Sequence, residues 1–272
     1  MNIRNLLLAF TAGLALTNCA EDVEKQAQPY LTRAKQSHEN QQYALAKLQL
    51  DSIKLLYPKA FETRAQANDL LIEVELSEAR TSKHYTDSLL AECTARAATL
   101  STALYLDKDA KYQDYGTYYA TQHRTEKNVG KSYLRPQTSE QDGAFTITAY
   151  YRGKPIGAHT LRFTASDGSY VELQPTAEPY VMSDATGRTE RTDFAATPDV
   201  AHFVAQHPSV KATLIGKDGK AQMPFAKTDA QALTQVAELA ATLQATATLQ
   251  AQQQEFTRRI TFYEERSLAV SR

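Results

Sequence analysis

Five tyrosines and four basic side chains crowd one short stretch of the chain: Tyr112, Tyr115, Tyr118, Tyr119 and Tyr133, with His123, Arg124, Lys127 and Arg135 among them. Phenol rings beside cationic donors can stack on a sugar or grip an extended peptide, because tyrosine offers both an apolar face and a hydroxyl. The same residue types also serve as packing, with rings seated between a sheet and the ends of helices, and the sequence favours that role. The usual catalytic patterns are absent. There is no Gly-x-Gly-x-x-Gly, no phosphate-binding loop, no Gly-x-Ser-x-Gly, no His-Glu-x-x-His and no Cys-x-x-Cys. His202 and His207 are five apart, about 140° around a helix, which is the wrong spacing for a shared metal. Asp107-Lys108-Asp109 begins like a calcium loop, but Lys111 stands where a third ligand is needed. Paired carboxylates such as Glu264-Glu265 suit a solvated helix face. These residues describe a non-enzymatic protein with no metal and no cofactor.

The other residue with chemistry of its own is Cys19. Arg4 supplies a basic start, Leu6 to Leu16 a short apolar run, and Leu16-Thr17-Asn18-Cys19 follows. The run is the size of a signal-peptide core and too short for the roughly 20 residues that span a bilayer. Leu16 three residues before Cys19 resembles the bacterial lipobox, with Asn18 departing from the small residue usual there. The resemblance implies cleavage after residue 18 and acylation of Cys19, and two or more acyl chains anchor stably where one does not. Glu21-Asp22 resembles the short acidic signal of surface lipoproteins in Bacteroidota. With Cys19 acylated, Cys93 has no partner in the chain, and its place between Leu89 and Ala97 predicts burial on a helix.

Composition narrows the partners. A formal net charge of −1 over 272 residues gives no electrostatic case for nucleic acid or for a polybasic membrane patch. The expected partners are a membrane, through the lipid anchor, and an envelope protein.

The elements that position these residues follow from periodicity. Residues 20–40 read as a polar tether that turns helical. In 41–58, Tyr43, Ala46, Leu50, Ile53 and Leu56 or Tyr57 recur at helical steps until Pro58. From Lys59 to about Tyr105, and again from Thr228-Asp229 to about Arg266, the chain lacks Gly and Pro and keeps an apolar seam. The first seam includes Ala67, Leu70, Val74, Leu89, Cys93 and Leu100; the second includes Leu233, Val236, Ala240, Leu243 and Ile260. Two such runs of similar length predict an antiparallel coiled-coil stalk. Between them the period drops to two, with strands expected at 145–150, 159–164, 170–173, 180–183, 188–193, 211–215 and 221–225, and a short helix at 199–206. Asp167-Gly168 and Asp218-Gly219 mark hairpin turns. The fold class is α+β: residues 1–18 a signal peptide, 19–106 tether, helical hairpin and long helix, 107–227 an antiparallel β module (sheet, sandwich or half-barrel), and 228–272 a long helix packing back.

Two resemblances add to this. Tyr43, Ala46, Leu50 and the closing Pro58 resemble the second half of a tetratricopeptide repeat, although Ile53 stands where that family favours Ala and no second copy follows, so one helical hairpin is implied and not an array. Leu50-Asp51-Ser52-Ile53-Lys54, Tyr57-Pro58-Lys59-Ala60, Glu126-Lys127-Asn128 and Ser132-Tyr133-Leu134-Arg135 resemble segments of Bacteroidota envelope lipoproteins. That resemblance implies a cell-envelope location, with the outer membrane expected, and offers no assigned activity to carry over. The function expected is a membrane-anchored scaffold or protein-interaction module. The alternative is a glycan- or peptide-binding lipoprotein that uses Tyr112, Tyr115, Tyr118, Tyr119, Tyr133 and Arg135.

Overall fold

The computed structural model describes residues 14–184 and 187–270, with side chains described for 22–183 and 187–269. Most of the expected signal peptide and the side chain of Cys19 therefore lie outside the described residues. The fold is α+β, with five helices and ten strands among the described residues. It divides into two compact units. One holds the described residues up to Asp87 together with those from Ala251 onward, and the other spans Ser88–Gln250.

The first unit is helical. Helix α1 (Leu14–Glu39) buries Ala27, Leu31 and Ala34, and α2 (Tyr43–Leu56) buries Ala46, Leu50 and Ile53 against them. Residues 20–39 are thus helical, with apolar side chains packed on the α2 core from Val23 onward. The hairpin between α1 and α2 closes with Gln41 at φ 59°, while the N–H groups of Gln41 and Gln42 reach back to the carbonyls of His38 and Ser37. That pairing satisfies the last carbonyls of α1, and a non-glycine residue holds the left-handed position. Pro58 ends α2 as expected: Tyr57 leaves the helical region at φ −123°, ψ 59°.

Helix α3 (Phe61–Ser101) and helix α5 (Lys227–Val270) contribute to both units and pack together. Within the first unit, Arg259 of α5 reaches Glu75 (2.7 Å) and Glu78 (3.4 Å) of α3, and Lys47 of α2 reaches Glu78 (2.7 Å) and Glu75 (3.5 Å). Burial works against the Lys47 charge, but the two carboxylates outweigh it and raise its pKa. Gln253 donates to Asp87 at 2.7 Å. Within the second unit, Arg96 meets Glu238 at 2.8 Å, and the seam residues Leu89, Cys93, Leu100 and Leu243 are half-buried. Cys93 is therefore not fully enclosed as its spacing predicted. Two helices alone leave the flanks of their seam open to water.

The second unit is a β-sandwich closed by helices. Its larger sheet runs β1 (Tyr105–Asp107), β2 (Thr117–Tyr119), β3 (Tyr133–Ser139), β4 (Phe145–Arg152), β8 (Gly187–Ala195), β7 (Tyr180–Asp184), with every pairing antiparallel. The smaller sheet runs β10 (Gly219–Met223), β9 (Val210–Gly216), β5 (Ala158–Ala165), β6 (Tyr170–Leu173). Both expected hairpins form, β5–β6 and β9–β10. The Arg152–Pro155 bend instead carries the chain from one sheet to the other. Leu134, Ile147, Ala149 and Phe194 from one sheet and Leu161, Phe163 and Leu214 from the other share a single core with α4 (Pro198–Gln206) and the first turns of α5. Gly143 in the β3–β4 turn sits so close to α5 that a Cβ would lie 2.5 Å from the Ala240 carbonyl; its φ of 68° also favours glycine.

Candidate functional site

The tyrosine-rich segment does not form one cluster. Tyr112 and Tyr115 lie in the β1–β2 connection and are 75% and 52% exposed. Tyr118 is half-buried. Tyr119 on β2 and Tyr133 on β3 are buried, and Arg135, two residues along β3 on the same face, is only 6% exposed. The register explains the grouping. Alternate residues of a strand share a face, so Tyr133 and Arg135 stand beside Tyr150 and Thr148 of β4 and next to Tyr119 of β2.

Arg135 is enclosed by rings. Its guanidinium carbon is 4.7 Å from the centre of Tyr119, 4.8 Å from Tyr150 and 5.8 Å from Tyr133, and the Tyr133 and Tyr150 rings stack at 4.5 Å with 8° between their planes. It donates to the hydroxyls of Tyr133, Tyr150 and Thr125. Among the described residues no carboxylate forms an ion pair with it, the Glu126 charge acting only from farther off, and its Nε has no hydrogen-bond partner. Ring quadrupoles and three hydroxyls thus stand in for a counter-ion, an arrangement that rewards a desolvated cation. The pattern continues on both sides. Arg124 lies 4.3 Å over Tyr105, and Arg191 lies 5.9 Å from Tyr150 while it pairs with Asp193. Burial, and then the bond to Asp107 at 2.6 Å, push the Tyr119 phenol well above its usual pKa. Burial does the same to Tyr150.

Two further buried polar groups were not legible as a site. His123, 3% exposed, bonds through Nε2 to Asp229 at 2.9 Å, and its Nδ1 has no partner among the described residues. Asp229 also accepts the Ala226 N–H at 2.7 Å. This is the reciprocal half of a capping box at the start of α5, a place where a carboxylate also complements the helix dipole. Burial opposes the Asp229 charge, but these hydrogen bonds outweigh it and lower its pKa. Glu190 of β8 is fully buried and accepts the N–H groups of Ile156 (2.6 Å), Gly157 (3.1 Å) and Ala158 (2.6 Å), which holds the inter-sheet crossover against the larger sheet.

Two open grooves flank this unit. One, of about 520 Å³, is bordered by His123, Lys131, Tyr133 and Asp229, and the other, of about 770 Å³, by His207, Val210, Phe225 and Thr234. His207 donates from Nδ1 to the Phe203 carbonyl at 2.7 Å. Among the described residues no group of three or more His, Cys, Asp or Glu is placed to hold a metal, and no helix is long and apolar enough to cross a membrane. No family model matches the chain, and a search of curated proteins returns no match to it.

Proposed function

We propose that the chain is a non-enzymatic envelope lipoprotein, anchored through acylated Cys19, that serves as a scaffold or protein-interaction module at a bacterial membrane. One observation carries this reading. The side chains best suited to chemistry are committed to architecture: Arg135 is boxed by rings, His123 and Asp229 close the start of α5, and Glu190 pins a crossover. Fractionating cells that express the native chain or Cys19→Ala tests the anchor. The native protein is expected in membranes and labelled by a metabolic fatty-acid probe, and the variant is expected to be released and unlabelled. Labelling that persists in Cys19→Ala would refute it.

The exposure of Tyr112 and Tyr115 favours a second reading, in which this loop binds a glycan or peptide. Replacing both rings with Ala would then remove retention on immobilised glycan or peptide without changing the melting temperature.

A further inference from the structure

Helix α2 has two apolar stripes. The inner one, Ala46, Leu50 and Ile53, is buried against α1. The outer one consists of Leu45, Leu48, Leu55 and Leu56, all exposed, Leu55 to 76%. At 100° per residue these four fall within about 100° of arc on the far side of the helix, with Ser52 between them. Phe61, which opens α3 a short turn later, is 74% exposed. Single exposed leucines are ordinary, but a stripe of four on one helix face, with an exposed phenylalanine five residues on in sequence, marks a contact.

Hydrogen bonds fix what lies beside this patch. Glu24 of α1 accepts the N–H groups of Glu62 (3.1 Å) and Thr63 (3.0 Å) and the Thr63 hydroxyl (2.6 Å). The Tyr30 and Tyr57 rings meet at 5.6 Å. The middle of α1 is therefore clamped to the first turn of α3, which begins at Phe61, and to Tyr57, which follows Leu55 and Leu56 at the end of α2. Cys19 belongs to the same helix, five residues before Glu24, about 7.5 Å of helical rise. Lys54 and Lys59 are exposed, as are Asp22, Asp51 and Glu62; around α2, Asp51 lies 40° from Leu55 and Lys54 100° from it.

Resting on the acylation of Cys19 proposed above, we propose that the outer face of α2, with Phe61, docks on the bilayer that holds the anchor. The leucines and the phenylalanine enter the boundary between headgroups and acyl chains, and Lys54 and Lys59 extend to lipid phosphates. Amphipathic helices bind interfaces in this way, with apolar side chains sunk a few ångströms and lysines reaching outward. Docking gives the first unit a second attachment beside the lipid on Cys19.

The test removes the anchor so that only the patch is read. The full chain carrying Cys19→Ala is mixed with vesicles of phosphatidylethanolamine and phosphatidylglycerol. Because the chain contains no Trp, a single Phe61→Trp substitution reports insertion by its emission, and Tyr112→Trp in the second unit serves as the control. Vesicles are expected to shift the Phe61→Trp emission to the blue and leave the control unchanged. Adding Leu55→Ser and Leu56→Ser is expected to weaken vesicle sedimentation about tenfold or more while the melting temperature holds. An unshifted Phe61→Trp emission, or sedimentation indifferent to the serines, overturns the proposal. So does a dimer that the serines dissociate in a protein that ignores vesicles, since the patch would then be a protein interface. Vesicle binding by the Cys19→Ala chain, combined with no acylation of the native chain in cells, would refute the lipoprotein reading and leave the docking surface standing.

Discussion

The sheet face around Arg135 and the outer face of α2 invert the usual distribution in opposite directions. In the β unit a guanidinium and four tyrosines are gathered on one face of a sheet beside a threonine hydroxyl, and the guanidinium, Tyr119 and Tyr133 are buried. In the helical unit four leucines and a phenylalanine are left facing water. Buried polar groups and exposed apolar patches are the informative departures in any globular protein. The first kind is stable only when every partner is in place, so it rigidifies. The second kind is costly only until something covers it, so it binds. The difference teaches that residue types suited to recognition are not where recognition is proposed. The aromatic and cationic side chains hold the β unit together, and plain leucines form the contact.

Breaking the polar face should have the largest effect. Arg135→Ala leaves a cavity and three hydroxyls without their donor, and is expected to cost roughly 3 kcal/mol or more, read by chemical denaturation. Arg135→Lys keeps the charge but not the planar fork, and should recover only part of that loss. Glu190→Gln comes next. A carboxylate accepting three backbone N–H groups is replaced by an amide with one acceptor oxygen, at an expected cost of about 2 kcal/mol.

Asp229→Asn is smaller and dependent on pH. Near neutrality the loss should be about 1 kcal/mol, the scale of a helix cap. Because the folded pKa of Asp229 is depressed, its stabilisation is complete above the ordinary value of 3.8 and is lost as pH falls through the lower folded value. Wild type and variant should therefore differ most above about pH 4 and converge in stronger acid. A difference that widens on acidification would contradict the assignment. At the other end of the scale, Leu55→Ser, Leu56→Ser and Tyr112→Ala should each change stability by no more than about 0.5 kcal/mol, although the two leucine changes are expected to release vesicles.

Much of this architecture was legible in the sequence. Alternation located β4 to β10 within a residue or two at most ends, and the absence of Gly and Pro located α3 and α5. Strands β1 to β3 were not legible. Pro136 lies inside β3, where it reads against a strand, yet β2 pairs only with Gln137–Ser139, which leaves the side of Pro136 without a ladder donor to supply. Alternation also names faces and not partners, so it could not tell that the Arg152–Pro155 bend joins two sheets. The tyrosines were recognised as a group, but only strand register separates the enclosed Tyr119 and Tyr133 from the exposed Tyr112 and Tyr115. The outer stripe of α2 was present as Leu45, Leu48 and Leu55. It was hidden because Tyr43, Ala46 and Leu50 already supplied the helix with an apolar face, and one face is all that a packed helix requires.

The contrast between the two faces reduces to where the chain meets a membrane. Amide hydrogen exchange of the Cys19→Ala chain, measured with and without vesicles of phosphatidylethanolamine and phosphatidylglycerol, reads both faces at once. Slowed exchange is expected in peptides covering residues 43–61, with peptides covering 108–135 and 145–152 unchanged. Protection confined to 108–135, or absent everywhere, would contradict it.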